Sequence, residues 1–352
     1  MGEENLIFCI KRSLFEWSSF LPLKAKVESF INHLRETTVE SIFDENIIEF
    51  QLQLVQHTVN SKIFKKFPPC SKSTTAFIKK LLLVFESSQI EGHASFYDYV
   101  SNSANNHEKD QYFKSYFDER GNHLVSLVEK SELICNGTTG LRTWQAGKFL
   151  FKWIVDNLYH LPQAEEYGIL ELGSGVGYTG LCIFNDKRCT PRQITLTDHH
   201  TSVLNALYKN VIANLGMQKP KCPENGIYSD EKNIVFPKTF TSDCGGRNLV
   251  IDSLDWEHFV INESNPSMYL CDIVIGADIV FDVSVIPHLV NVIVKFLTDL
   301  GTKKVILANC LRNEATDIFF VNSLKQHNVC VEKQTHNVDD DLPLHLYIIQ
   351  NQ

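Results

Sequence analysis

The feature that most constrains this 352-residue chain is an abrupt change of residue type near its middle. The apolar run Ile169-Leu170-Glu171-Leu172 stops at Gly173-Ser174-Gly175-Val176-Gly177. A helix-length apolar segment then begins at Tyr178-Thr179-Gly180. Alternating glycines let the backbone turn sharply and let a ligand approach closely. The helix that follows presents free N–H groups and the positive end of its dipole. A carboxylate or phosphate suits that position.

The pattern continues to the end of the chain. Strands are expected at Ile169–Leu172, Gln193–Thr197, Asn248–Ile251, Asp272–Ala277, Lys304–Ala308, Cys330–Lys333 and Leu344–Ile349. Helices are expected at Gly177–Asn185, Thr201–Leu215, Val285–Leu300 and Glu314–Gln326. Such alternation predicts an α/β fold with a doubly wound, seven-stranded parallel sheet. Only a polar loop with Asp339-Asp340-Asp341 and Pro343 separates the last two strands, so no crossover helix fits and that pair is expected to be antiparallel.

The N-terminal third reads differently. Phe8, Ile10, Leu14 and Phe15, then Phe30, Ile31 and Leu34, recur at helical spacing, and Phe77 to Phe85 forms another apolar helix. Phe67-Pro68-Pro69 breaks the chain between helices. Residues 102–110 are the most linker-like stretch. Tyr112–Tyr116 and Leu124–Val128 flank a turn at Glu119-Arg120-Gly121-Asn122 and read as a β-hairpin. The expected division is a helical region over 1–101 and a second domain over 111–352. Trp144 opens a helix expected from Gln145 to about Asn157, which precedes the glycine strand and can cover its site.

Composition removes several classes. The apolar fraction is 43 % and the charged fraction 21 %, which excludes wholesale disorder. A net charge of −9 argues against generic nucleic-acid binding, although Lys62 to Lys66, Lys72, Lys79 and Lys80 make the N-terminal third locally basic. No run is long and apolar enough for a membrane span. Glu3 and Glu4 stand where a signal peptide wants basic residues, and Leu6 breaks the Met1-Gly2 resemblance to a myristoylation site. The ten cysteines, from Cys9 to Cys330, show no paired spacing. Reduced thiols, a cytoplasmic location and no metal site are the expectation. The sequons at Asn136 and Asn262 are read as chance matches.

Several residues carry candidate chemistry. Asp198 ends the second strand, where an acid can accept from both ribose hydroxyls or cap the next helix. His199 and His200 are read as loop residues. Asp255-Trp256 follows the third strand: the indole can face a purine or anchor a loop on the core, and the acid can accept from an exocyclic amine. Ala277-Asp278 ends the fourth strand, and Asp278 can orient a nucleophilic amine or cap a helix. Gly175-Val176-Gly177-Tyr178-Thr179-Gly180 is also a literal G-x-G-x-x-G, which raises a dinucleotide reading. The acidic strand end, the mid-chain position after a hairpin and the antiparallel final strand argue the other way.

Glu171-x-Gly173-x-Gly175-x-Gly177, Asp198, Asp255-Trp256 and Ala277-Asp278 together resemble the seven-β-strand, Rossmann-like S-adenosylmethionine-dependent methyltransferases. Gly137-Thr138-Thr139-Gly140-Leu141-x-Thr143-Trp144 is similar to the protein-lysine branch of that family. Phe67-Pro68-Pro69-Cys70-Ser71-Lys72 with the Phe77–Phe85 helix resembles the elongation factor 2 lysine methyltransferases within it. The resemblance implies a cofactor site built from Trp144, Glu171, Gly173, Ser174, Gly175, Gly177, Asp198, Asp255, Trp256 and Ala277. It implies catalytic roles for Asp278 and for the position held here by Phe281, where the family's Asp-x-x-Tyr motif has a tyrosine. It further implies S-adenosylmethionine as cofactor and a protein substrate, elongation factor 2. No direct nucleic-acid or membrane partner is implied, and a monomer is the expectation. The alternatives are methylation of another protein or a small molecule, a dinucleotide oxidoreductase, and a non-catalytic cofactor-binding module.

Overall fold

The computed structural model describes residues 2–103, 112–130, 138–162, 167–215, 236, 239–260, 269–337 and 342–352. Most of the expected linker, Asn136, Gly137, Cys135, Cys222, the sequon at 262–264 and Asp339 to Asp341 lie outside the described residues. The chain forms two compact units, Met1–Val128 and Glu129–Gln352. The hairpin expected to open the second domain is counted with the first unit.

The first unit contains α1 (Glu3–Phe15), α2 (Leu21–Thr37), α3 (Glu40–His57), α4 (Lys62–Lys66), α5 (Ser71–Ser87) and α6 (Ala94–Ser103). The hairpin of β1 (Phe113–Phe117) and β2 (His123–Val128) follows. Leu6, Ile10 and Leu14 recur every four residues on α1, so one face of the helix is buried. That face shares a core with Phe43, Ile47, Phe50 and Leu54 of α3 and Ile78, Leu81 and Phe85 of α5. Pro68 and Pro69 fall between α4 and α5, where the missing N–H groups cost no helical hydrogen bond. On the hairpin, Ser115 and Ser126 face each other and share a buried 2.7 Å hydrogen bond.

The second unit runs α7 (Gln145–Asp156), β3 (Gly168–Leu172), α8 (Tyr178–Asn185), β4 (Gln193–Asp198), α9 (Thr201–Leu215), β5 (Thr239–Asp243) and β6 (Asn248–Ser253). It continues with β7 (Ile273–Ala277), α10 (Ile286–Thr298), β8 (Lys304–Cys310), α11 (Glu314–Lys325), β9 (Val329–His336) and β10 (Leu344–Asn351). The sheet order is β5-β6-β4-β3-β7-β8-β10-β9. Pairs from β6 through β8 are parallel, and β10 lies antiparallel between β8 and β9.

Among the described residues the sheet therefore has eight strands rather than the expected seven. The addition is β5, antiparallel to β6 at the edge. Its residues alternate exposed and buried, and Phe240 is its one buried large apolar side chain, so it carries little hydrophobic signal. Strand order proceeds from β3 toward β4 and β6 on one side and toward β7 and β8 on the other. The crevice beyond the carboxyl ends of β3 and β7 is thus the topological switch point, where α/β sheets hold ligands. No helix among the described residues is long and apolar enough to cross a membrane.

Candidate active site

The glycine loop leaves β3 at this crevice. Gly173, Gly175 and Gly177 have φ of +62°, +54° and +93°, a region that side chains with a Cβ rarely adopt. A Cβ on Gly175 would lie 3.0 Å from the carbonyl oxygen of Gly140, so the loop before α7 and the glycine loop touch backbone to backbone. Ser174 ties the loop to the sheet. Its N–H donates to the Thr197 carbonyl at 2.8 Å, and its Oγ accepts from the Thr197 N–H at 3.0 Å. Gly177 caps α8 from behind; a Cβ there would meet Leu207.

Beneath the loop lies Glu171, 2 % exposed, which accepts from the Gly180 N–H at 3.1 Å. Burial pushes its carboxyl up to about 7, against the hydrogen bonds from Ser174, Thr179 and Gly180 that favour the charged form. Asp198 accepts from the Gly175 N–H on Oδ2 at 3.2 Å. Its Oδ1 accepts from the His199 and His200 N–H groups at 2.8 and 3.1 Å. Asp198 thus shapes the entry to α9 and fixes the glycine loop at once; burial raises its pKa despite those donors.

At the rim, Asp255 Oδ2 lies 2.9 Å from His258 Nδ1 and 3.7 Å from His199 Nδ1. The hydrogen bond to His258 holds the Asp255 carboxyl below its usual range, and His258 is raised in turn. His199, read from the sequence as a plain loop residue, belongs to this rim. Trp256 packs against the apolar core and also lines the cavity, with its ring 3.6 Å from where a Gly173 Cβ would lie. The indole therefore anchors its loop on the core while one face remains part of the cavity wall.

On the opposite wall, Trp144 donates its indole N–H to the Thr139 carbonyl at 3.1 Å. The guanidinium groups of Arg142 and Arg312 each lie 5.1 Å from its ring centroid. Thr143 anchors this loop through two hydrogen bonds to Glu129. Asp278 sits just past β7 with a left-handed φ of +55°, uncommon for a residue other than glycine. Its carboxylate accepts from the Cys310 N–H at 2.9 Å and from both terminal nitrogens of Arg312 at 3.0 and 3.3 Å. Phe281, three residues on, is 53 % exposed.

Eleven of the twelve sequence-predicted residues line one cavity of about 370 Å³; the twelfth, Gly177, shapes the loop from outside. The volume lies within the range of small-molecule sites, roughly 300–1,000 Å³. One end offers carboxylates at Asp198 and Asp255 beside an indole, and the floor is a backbone cradle that side chains would fill. This polarity fits a nucleoside with a charged tail. Sequence reasoning missed Arg142, His288 and Arg312. Arg142 and His288 line the cavity, whereas Arg312 acts on residues that do. The available signal for Arg312 was its position two residues past the end of β8.

Comparison with known proteins agrees with this geometry. The profile of a family described as "Lysine methyltransferase" matches residues 128–223 and 231–327. The protein-lysine N-methyltransferase EEF2KMT of Mus musculus is 30 % identical over 298 residues, covering 84 % of this chain and 81 % of its own. The Homo sapiens protein of the same name is 28 % identical over 71 % of this chain and 68 % of its own. The protein-lysine N-methyltransferase EFM3 of Chaetomium thermophilum is 27 % identical over 55 % of this chain and 49 % of its own.

Proposed function

This chain belongs to the lysine methyltransferase family and takes S-adenosylmethionine as its cofactor, and from that premise we propose that its substrate is a lysine of elongation factor 2. The observation that carries the reading is the extent of the similarity to the mouse relative. The 298 matched residues exceed the whole second unit, so the likeness reaches into the helical N-terminal unit. That unit holds Phe67-Pro68-Pro69-Cys70-Ser71-Lys72, the segment resembling the elongation factor 2 enzymes.

On this reading Asp198 holds the ribose hydroxyls, and Asp255 accepts from the adenine amine beside Trp256. The backbone of Gly173, Ser174 and Gly175 would hold the charged tail, with Ala277 at the exit of β7 and Trp144 also lining the cavity. Glu171 fixes the loop from below through Gly180. When bound there, S-adenosylmethionine would supply an electrophilic sulfonium methyl, to be taken by the amine lone pair with the C–S electron pair left on sulfur. The substrate ammonium must first give its proton to solvent, since its ordinary pKa is about 10.4 and the ammonium has no lone pair. The exposed Phe281 ring offers an apolar wall to the lysine stem, which favours the neutral amine. Asp278 aligns that amine, and positioning supplies most of the rate. The helical unit recognises the protein substrate.

The test is transfer of labelled methyl groups from S-adenosylmethionine to unmethylated elongation factor 2, followed by mass mapping. Label on one lysine is expected. An enzyme that binds cofactor yet labels a different protein would overturn the substrate assignment.

A further inference from the structure

Asp278 poses a chemical problem. A carboxylate next to the substrate amine would stabilise the ammonium form, and an opposite charge within about 4–6 Å shifts a pKa by roughly 1–3 units. An ammonium cannot attack. An unpaired Asp278 would therefore align the nucleophile and disable it together.

The structure supplies a cancelling charge. Arg312 Nη1 lies 3.0 Å from Asp278 Oδ1 and Nη2 lies 3.3 Å from Oδ2, a two-point pairing that fixes the carboxylate plane as well as its charge. The Asp278 side chain is 3 % exposed and that of Arg312 39 %, so the carboxylate is shielded from water while the guanidinium is partly screened. The same guanidinium lies over the Trp144 ring, which orients it from the far side. Arg312 therefore links the exit of β8, the exit of β7 and the loop before α7. Among the described residues, a second titratable group against Asp278 is the Cys310 thiol, whose sulfur is 3.6 Å from Oδ2. Burial and the nearby carboxylate push that thiol up to about 12, so it stays neutral and adds no charge. The backbone is built around this contact. Asp278 holds a left-handed φ, its N–H donates to the Ala308 carbonyl at 2.9 Å, and Asn309 makes two hydrogen bonds to the Val280 backbone.

We infer that Arg312 is a positioning residue of the methyl-transfer site, which fixes the Asp278 carboxylate and neutralises it so that the incoming lysine amine is oriented without being held as ammonium. The inference rests on Asp278 being the group that aligns the amine.

The experiment is the pH profile of kcat, at saturating S-adenosylmethionine and protein substrate, in the full-length enzyme, because kcat reports the bound complex in which the amine meets Asp278. Arg312→Met exposes an uncancelled carboxylate, so its alkaline midpoint should rise by about one unit. Its kcat should fall about 10- to 100-fold, with cofactor Kd held within about threefold. Arg312→Lys keeps the charge but loses the two-point geometry; its midpoint should stay in place while kcat falls. Asp278→Asn, which still tolerates positive φ, leaves an uncancelled guanidinium and should move the midpoint down. The double variant Arg312→Met with Asp278→Asn carries neither charge and should return it to the wild-type value. If Arg312→Met fails to fold because a charge is left buried, Asp278→Asn and the double variant decide alone. Unmoved midpoints in an active series overturn the role of Arg312. A wild type inactive on every protein substrate overturns the parent reading.

Discussion

Glu171 receives the backbone N–H of Gly180 at 3.1 Å, and this contact exists because Gly180 has no side chain. A Cβ there would lie 2.7 Å from the Glu171 carboxylate and 2.2 Å from Leu196. The acid is thereby sealed under the first turn of α8, and burial raises it from 4.5 to about 7. Because its folded pKa exceeds its unfolded value, the native state holds the extra proton between those two pH values. Stability from this site is therefore greatest in acid and declines as pH rises from about 4.5 through 7. At about 1.36 kcal/mol per unit, the decline is up to roughly 3 kcal/mol. Glu171→Gln, which still offers an oxygen to Gly180, should remove it. Denaturant unfolding at pH 5, 6.5 and 8 checks this; parallel pH slopes for wild type and variant would refute it.

Phe281 stands at the cavity mouth with half its surface exposed, so its ring contributes little to the fold. Phe281→Ala should leave the unfolding midpoint nearly unchanged and cofactor Kd within about threefold. Methyl transfer should fall tenfold or more through lost alignment of the lysine stem. Phe281→Tyr restores the hydroxyl of the family motif and should keep wild-type kcat within about threefold. Steady-state kinetics with titration calorimetry separates the effects. Full turnover in Phe281→Ala would remove the ring from the mechanism.

Most of the second unit was legible because its code is local. A buried parallel strand reads as a continuous apolar run, and a glycine loop reads as itself. Gly175 and Asp198 were thus recognisable 23 residues apart, and the structure joins them with one hydrogen bond. The edge strand β5 was not legible, because Thr239, Thr241 and Asp243 face outward and the hydrophobic period nearly vanishes. Arg312 was hidden for a different reason. Its partners Asp278 and Trp144 lie 34 and 168 residues away, and only the sheet order brings β7 and β8 side by side. Long-range pairing of that kind leaves no periodic trace in the sequence.

Gly175 shows how closely two loops are matched. Gly175→Ala must hold φ near +54° with a Cβ, and that Cβ would press on the Gly140 carbonyl at 3.0 Å. The backbone strain costs about 1–3 kcal/mol. Relief requires the glycine loop or the loop before α7 to move, and both line the cavity. Cofactor Kd should therefore weaken at least tenfold, alongside a lower unfolding midpoint. Gly175→Arg should abolish binding and turnover. Unchanged affinity in Gly175→Ala would show that the close approach is incidental.

The helical unit offers a separate handle on substrate recognition. Gln51 is 4 % exposed, donates Nε2 to the Glu91 carbonyl at 3.0 Å and accepts from the His93 N–H at 2.6 Å. It joins the middle of α3 to the segment before α6 through its side chain. Gln51→Ala removes a partner from the Glu91 carbonyl and the His93 N–H, both only part-buried, at a cost of up to about 1–3 kcal/mol each where water cannot replace it. The lesion lies in the first unit, whereas the cofactor residues all lie in the second. If the helical unit recognises the protein substrate, KM for that protein should rise severalfold with cofactor Kd unchanged. Half-exposed Gln53, whose hydrogen bond to exposed Glu49 stays within α3, provides the control: Gln53→Ala should alter neither quantity. A loosened first unit with an unchanged protein KM would remove it from substrate recognition.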